Sequence, residues 1–333
     1  MTITRRNFLR QAAGGTAAAA ACATLAPSPA EARDNLKVPE KAIGLLYDST
    51  LCIGCKACMS GCKDANNLPL EDTIGEKLWD TPLELSGKTY TVIKIYQHGT
   101  MANKDKAENG FAHIKRQCLH CVDPSCVSAC PVSAMQKRPE DGVVTYNKDA
   151  CIGCRYCVAA CPFGVPQFQY DTPKPEIAKC QLCKHRLAEG KIPACAEQCP
   201  TGATLFGTHQ ALSAEIARRK AMKPGEPNLF PRRTIDSGDN HEKAAAEYVD
   251  HVYGEKDAGG TQVRYLSGVP FDKLALPVGL PERSYAADSE TLQTTLYGGL
   301  ILPGIALAGL VAAAWRGSKT HHDDDDQGGQ NHG

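Results

Sequence analysis

The sequence predicts an α+β fold made of two pseudo-symmetric halves with insertions, followed by one apolar helix long enough to cross a bilayer. Three observations predict it. Two stretches, STLCIGCKACMSGCKDAN at 49–66 and DACIGCRYCVAACPFGVP at 149–166, repeat one cysteine spacing, the mark of an internal duplication. Short strand-like runs such as TYTVIKIY share the chain with a helical run, HQALSAEIARRKAM, so neither class dominates. Leu296 to Trp315 carries no charge at all.

Composition narrows the function before any motif is read. The 333 residues are 42% hydrophobic and 22% charged, enough for one or two ordinary cores. Lys plus Arg balances Asp plus Glu at 37 each, which leaves no basic excess for nucleic acid and no acidic excess of a solvating chain. Seventeen cysteines are too many reactive thiols to leave idle, so they act as ligands or bridges.

From the N-terminus, Thr4-Arg5-Arg6-Asn7-Phe8-Leu9-Arg10, an alanine-rich run to Ala30 and Ala30-Glu31-Ala32 predict a twin-arginine export signal over residues 1–32. A basic arm that stays on is the competing reading. Cys22 lies inside this segment and is expected to leave with it.

The other cysteines fall into four sets of four: Cys52, Cys55, Cys58, Cys62; Cys118, Cys121, Cys126, Cys130; Cys151, Cys154, Cys157, Cys161; and Cys180, Cys183, Cys195, Cys199. The last three sets end in Cys-Pro, at Pro131, Pro162 and Pro200. A Cys-x-x-Cys-x-x-Cys loop wraps three thiolates around one four-iron cubane, and the later cysteine before proline reaches the other cluster of a two-cluster ferredoxin. Zinc would need two Cys-x-x-Cys pairs per tetrahedral ion, and here two sets place three ligands at two-residue steps. Disulfides bridge such close cysteines poorly. An export route for folded, cofactor-loaded proteins also accounts for thiols outside the cytoplasm.

The repeat shows which sets belong together. Tyr47-Asp48-Ser49-Thr50-Leu51-Cys52-Ile53-Gly54-Cys55 matches Tyr146 to Cys154, and Cys130-Pro131-Val132-Ser133-Ala134 matches Cys199 to Ala203. AMQKR and VVTY flank Pro139-Glu140-Asp141-Gly142 and predict a hairpin. Sets two and three then form one ferredoxin-like unit, and sets one and four close a second around it. With the fourth cysteines exchanged, four [4Fe-4S] clusters are expected: site I on Cys52, Cys55, Cys58 and Cys199; site II on Cys180, Cys183, Cys195 and Cys62; site III on Cys118, Cys121, Cys126 and Cys161; site IV on Cys151, Cys154, Cys157 and Cys130. Swapping the fourth ligands within each pair is the open alternative. Lys56, Lys63, Lys115, Arg116, Arg155, Lys179, Lys184 and Arg186 crowd these loops as candidates to offset cluster charge, or as solvated surface. His120 and His185 are read as neighbours or exposed residues, not ligands.

Residues 44–207 are therefore expected to form the double ferredoxin-like domain, with 63–117 inserted. TYTVIKIY and GFAHIKRQC in the insertion read as strands. Thr208 is expected to cap the helix HQALSAEIARRKAM. The extension to residue 290 carries TQVRYLSGVPFDKL as strand and turn, and the segment 223–281 lacks the periodicity of an independent domain; it is expected to drape over the core or against a partner. Leu296 to Trp315 spans about 30 Å as a helix, with Tyr297 and Trp315 at its ends and Arg316 and Lys319 beyond. That pattern predicts a single transmembrane span with a cytoplasmic tail at 316–333 and the body outside; a buried core helix is the alternative. Pro303-Gly304 should loosen the span. HHDDDDQGGQNHG reads as a solvated run. No phosphate loop, nucleophile triad or carboxylate pair stands out, so no catalytic residues are expected.

CIGCKAC, HCVDPSCVSACP, GCRYCVAACPFGVP and KCQLC resemble the four-cluster ferredoxin-type subunits of membrane oxidoreductases, including formate dehydrogenase and nitrate reductase beta subunits. LYDSTLCIGC, NGFAHIKRQCLHCVDPSCVSACPVSA, HVYGEKDAGGTQV, the arginine pair and the C-terminal anchor extend the likeness nearly end to end to the HybA-type subunits of hydrogenase-2-like nickel–iron hydrogenases. The resemblance implies a non-catalytic subunit that carries electrons between the hydrogenase small subunit, with its large subunit, and an integral membrane quinone-reactive subunit. It also implies four cubanes, since no cysteine is replaced as in three-iron relatives. A formate dehydrogenase or other molybdenum-enzyme beta subunit is the rival within the class, and a zinc-stabilised interaction protein the rival outside it.

Overall fold

The computed structural model describes residues 33–69 and 80–327. The expected export signal at 1–32 lies outside the described residues. In chain order, β1 (Ile43–Asp48) leads into the first cysteine loop and α1 (Ala57–Ala65) leaves it. The insertion contributes β2 (Val92–Gln97), β3 (Asn103–Lys104) and β4 (Gly110–Arg116). Then come α2 (Ser125–Ser128), β5 (Met135–Lys137), β6 (Val144–Tyr146), α3 (Tyr156–Ala160), β7 (Gln167–Phe168) and β8 (Ile177–Ala178). The fourth set sits on α4 (Lys184–Ala188) and α5 (Ala194–Glu197), followed by β9 (Thr204–Thr208) and α6 (His209–Lys220). The extension holds β10 (Pro227–Pro231), β11 (Asn240–Ala244) and β12 (Val263–Leu266), and α7 (Tyr285–Gln327) closes the chain.

The strand pairings follow the repeat. β5 and β6 form the expected antiparallel hairpin, Met135 opposite Tyr146, with Gly142 at φ 72° in its turn, a left-handed value that glycine adopts without a side-chain clash. β1, which precedes the first cysteine set, pairs antiparallel with β9, which follows the last, Leu46 opposite Leu205. Each pair joins a strand entering a Cys-Ile-Gly-Cys loop to a strand leaving a Cys-Pro turn. β2 and β4 pair antiparallel within the insertion, as their apolar runs predict. Thr208 caps α6 as expected, its hydroxyl accepting from the Ala211 N–H at 3.2 Å.

The extension does more than drape. β12 lies parallel to β1, Leu45 opposite Val263 and Asp48 opposite Leu266, and completes a three-stranded sheet β12-β1-β9. All four β12 residues are buried, and Tyr47, Phe163, Tyr253, Val263 and Tyr265 share one apolar core with Cys52, Cys58, Cys118 and Cys195. Burial on both faces explains why VRYL shows no polar alternation except at Arg264. Asp34–Ala287 forms one compact unit, and the residues from Asp288 onward belong to another.

α7 starts at Tyr285, earlier than Leu296, because the polar stretch before the apolar run is also helical, and it continues through Pro303. It reaches Gln327, so part of the tail read as a solvated run is helical. Within Tyr285–Ala312 an 18-residue stretch reaches a mean hydropathy of 1.8 and is unburied, and Leu296, Leu300, Leu310 and Trp315 are all exposed. By length and composition the helix can cross a membrane.

Candidate iron–sulfur sites

The two Cys-Ile-Gly-Cys loops are held by the same backbone device. Gly54 and Gly153 both sit at φ 72°, and Lys56 and Arg155 at φ 59° and 64°, just before α1 and α3 begin. This alternation turns successive amides inward, as in an anion-binding nest: the Gly54 N–H donates to Cys52 Sγ at 3.5 Å and the Gly153 N–H to Cys151 Sγ at 3.4 Å. The other two sets share a second device. His120 and Leu182, each just before the second cysteine, are left-handed at φ 50° and 51°, and Pro124 and Pro193 precede the short helices α2 and α5. After the Cys-Pro turns, the Ala134 N–H donates to Cys130 Sγ at 3.2 Å and the Thr204 N–H to Cys199 Sγ at 3.4 Å. Amide donors favour a charged sulfur over a thiol, so the loops are built for ligation.

All sixteen cysteines are free thiols, and only Cys55 is fully exposed. Cys62, Cys180, Cys183 and Cys195 line a single cavity with Thr91, Gln117 and Leu182. Electrostatics traces the other groupings. Burial pushes the Cys58 thiol up to about 12, opposed by Lys115 and reinforced by Cys195, Cys52 and Cys199. Burial likewise takes Cys126 up to about 12, opposed by Lys179 and reinforced by Cys118, Cys161 and Cys157. Cys157 rises to about 11 through burial, with Cys130, Cys151 and Cys154 adding repulsion. Burial raises Cys180 as well, with Cys62, Cys183 and Cys118 following. Among these repulsions, Cys58 with Cys195, Cys180 with Cys118 and Cys126 with Cys157 each couple cysteines of different sets.

The donor set fits iron and sulfide. Thiols this buried and this mutually repelling stay protonated unless a cationic centre takes them. Four cysteine sulfurs in each set, free of disulfides, are the donor set that an iron–sulfur cubane takes.

The basic residues around the loops divide sharply. Lys115 and Lys179 are the most deeply buried, at 0% and 2% exposed. Lys179 Nζ lies 4.0 Å from Cys118 Sγ while donating to the Cys180 and Val144 carbonyls, and Lys115 donates to Thr204 Oγ1 at 3.3 Å. Others serve the scaffold: Lys56 and Lys63 bind the carbonyls of Thr81 and Lys88, Arg116 and Arg186 pair with Glu84 and Glu197, and Arg155 stacks over Phe168 and Tyr170. His185 is exposed. His120 is fully buried, its Nδ1 accepting from the Val144 N–H at 3.0 Å.

Sequence reasoning missed one support. Asp48, the last residue of β1 before the turn into Cys52's loop, takes Arg219 Nη1 at 2.8 Å, Tyr248 Oη at 2.7 Å and the Thr50 N–H at 2.9 Å. Lys104 Nζ donates to the Ser49 and Thr50 carbonyls. Three separate segments, carrying Lys104, Arg219 and Tyr248, thus grip this turn; the only local hint was an acid beside a buried tyrosine.

Residues 111–209 match the family description 4Fe-4S dicluster domain. The chain is 46% identical over 332 residues to the hydrogenase-2 operon protein HybA of Escherichia coli O157:H7, covering 98% of this chain and 99% of that one; the Shigella flexneri HybA matches equally. It is 34% identical over 260 residues to the formate dehydrogenase-O iron-sulfur subunit of Escherichia coli K12, with 78% and 75% covered.

Proposed function

Because this chain belongs to the HybA family of iron–sulfur electron-transfer subunits, we propose that it carries electrons through four [4Fe-4S] clusters between a periplasmic nickel–iron hydrogenase and an integral membrane quinone-reactive subunit. The single observation that supports the reading is the electrostatic coupling between cysteines of different sets, Cys58 with Cys195, Cys180 with Cys118 and Cys126 with Cys157, which in this reading sets sites I to IV in a row. Such an order is what a wire requires. The clusters supply reversible one-electron storage when bound. The protein supplies everything else: thiolates from two distant segments per site, amide donors on the sulfurs, and buried ammonium groups beside them.

In this reading Cys52, Cys55, Cys58 and Cys199 hold site I, Cys62, Cys180, Cys183 and Cys195 site II, Cys118, Cys121, Cys126 and Cys161 site III, and Cys130, Cys151, Cys154 and Cys157 site IV. The two halves are pseudo-symmetric ferredoxin-like units within 44–207, residues 208–290 brace them, and residues 1–32 direct twin-arginine export. The span at 296–315, within α7, anchors the body on the periplasmic face with residues 316–333 in the cytoplasm. Higher identity and near-complete mutual coverage favour the hydrogenase assignment over the formate dehydrogenase one.

Affinity purification from membranes tests the proposal. The expected result is a brown complex containing nickel–iron hydrogenase subunits and a membrane subunit, with about four irons per cluster set. Co-purification of a molybdenum enzyme, or a colourless zinc protein, would overturn it.

A further inference from the structure

Two polar side chains beside site II have no hydrogen-bond partner among the described residues. Gln117, at the end of β4, is 2% exposed, and both ends of its side-chain amide lack a hydrogen-bond partner among the described residues. Thr91, just before β2, is 3% exposed, and its hydroxyl is likewise without one. Both line the cavity that Cys62, Cys180, Cys183 and Cys195 share. Asn66 adds an amide donor 3.6 Å from Cys62 Sγ, and the Leu182 N–H donates to Cys180 Sγ at 3.3 Å. Lys115, on β4, is fully buried beside Cys195, Cys58 and Cys180.

Buried donors without acceptors are costly and uncommon in folded proteins. Here the acceptor is the cargo of the cavity: cluster and thiolate sulfurs are acceptors only, and they are net negative. Placed against them, an amide N–H, a hydroxyl and an ammonium stabilise the form that has gained an electron, because each favours the more negative state in a low-dielectric interior. All three groups come from the insertion, residues 63–117, whose β2–β4 pairing brings Thr91 and Lys115 to the same end of one sheet, with Gln117 just past it. We propose that the inserted sheet is a tuning element for site II, in which Gln117 and Thr91 donate to the sulfurs of its cluster and Lys115 adds a fixed positive charge, together raising the reduction potential of that cluster above what its thiolate cage alone would give. This inference rests on the cluster assignment proposed above. Gln117, Thr91 and Lys115 are not ligands; they act through the cluster's environment.

The test is a potentiometric titration of the intact membrane-purified complex followed by electron paramagnetic resonance, with iron and sulfide content measured on the same samples. Gln117→Leu keeps the side-chain volume close and removes the donor; Thr91→Val does the same for the hydroxyl. Each is expected to shift one cluster signal to lower potential, the same signal that Cys62→Ser alters, while the other signals and the iron content stay at wild-type values. Lys115→Met should shift that signal further, with a smaller displacement of the site I signal because Cys58 also adjoins it. No shift in Gln117→Leu or Thr91→Val, or an equal shift of every signal, overturns the inference. Should Gln117→Leu lose its cluster, Thr91→Val decides by the same criterion. A wild-type complex without iron–sulfur signals would sink the underlying assignment instead, so the two failures are distinct.

Discussion

Replacing Arg219 by Met should loosen site I before any other. Arg219 is wholly buried, with Nη1 on Asp48 Oδ2 at 2.8 Å and Nε on Glu215 Oε1 at 2.7 Å. Its guanidinium also lies 5.3 Å from the Phe230 ring centre. Removing one partner of a buried ion pair costs about 3–5 kcal/mol, since the remaining charge is left uncompensated. Both acids keep other donors: Asp48 retains Thr50 and Tyr248, and Glu215 retains two bonds from Arg218. The cost therefore falls near the lower end, about 3 kcal/mol, or roughly two orders of magnitude in an equilibrium. A multi-cluster protein loses its cofactors irreversibly, so the readable quantity is a rate. If half of the change appears in the unfolding barrier, cluster bleaching at fixed temperature accelerates about tenfold. Followed by visible absorbance and by resonance signals, the site I signal should vanish first, and adding Asp48→Asn should recover part of the loss by removing the stranded charge. Bleaching within about twofold of wild type, or a double variant no slower than Arg219→Met, would refute the reasoning.

Three further outcomes follow from the structure. Cys157→Ser should damage site IV and abolish electron flow from hydrogen to quinone while leaving dye-linked hydrogenase activity near wild type; loss of both, in paired assays on one preparation, would mean the residue is structural. Truncation before Leu296 should move the isolated chain from the membrane pellet to the soluble fraction, and retention in the pellet would show that the span is not the anchor. His209 is held down to about 4 by burial, with Arg264 adding to it, whereas the unfolded chain titrates near the ordinary value of about 6.5. The unfolded state therefore binds the proton first, and stability falls as pH drops from about 6.5 towards 4. His209→Gln should flatten that part of the stability–pH profile in thermal inactivation, and an unchanged slope would exclude His209 as its source.

Local features were legible in the sequence. The β5–β6 hairpin, the Thr208 cap, the strands of the insertion and the apolar stretch of α7 each follow from signals confined to a few neighbouring residues, and the cysteine spacing alone prescribes twin loops. Two things were not legible. VRYL reads as a strand, but nothing within it names its neighbour; a parallel pairing between residues more than two hundred positions apart is specified by the finished core, not by local pattern. Arg219 lies beside Arg218 in a charged helix, and only the fold reveals that one side chain meets solvent while the other meets Asp48. Lys115 was legible as a neighbour of the cysteines but not as a buried one, because it breaks the alternation of a strand in which Ala112 and Ile114 already fill the inner face.

The placement of β12 bears on how the protein is made. A nascent chain that has reached Thr208 already owns every cysteine of the sixteen and the antiparallel partner of β1, yet the opposite edge of β1 stays bare until Leu266 emerges. Until then the strand that introduces Cys52 offers a row of open amides, the kind of edge that recruits stray strands. Maturation factors therefore meet a window, late in synthesis, in which the metal-binding loops exist without their frame, and iron delivered inside that window would enter an unfinished vessel.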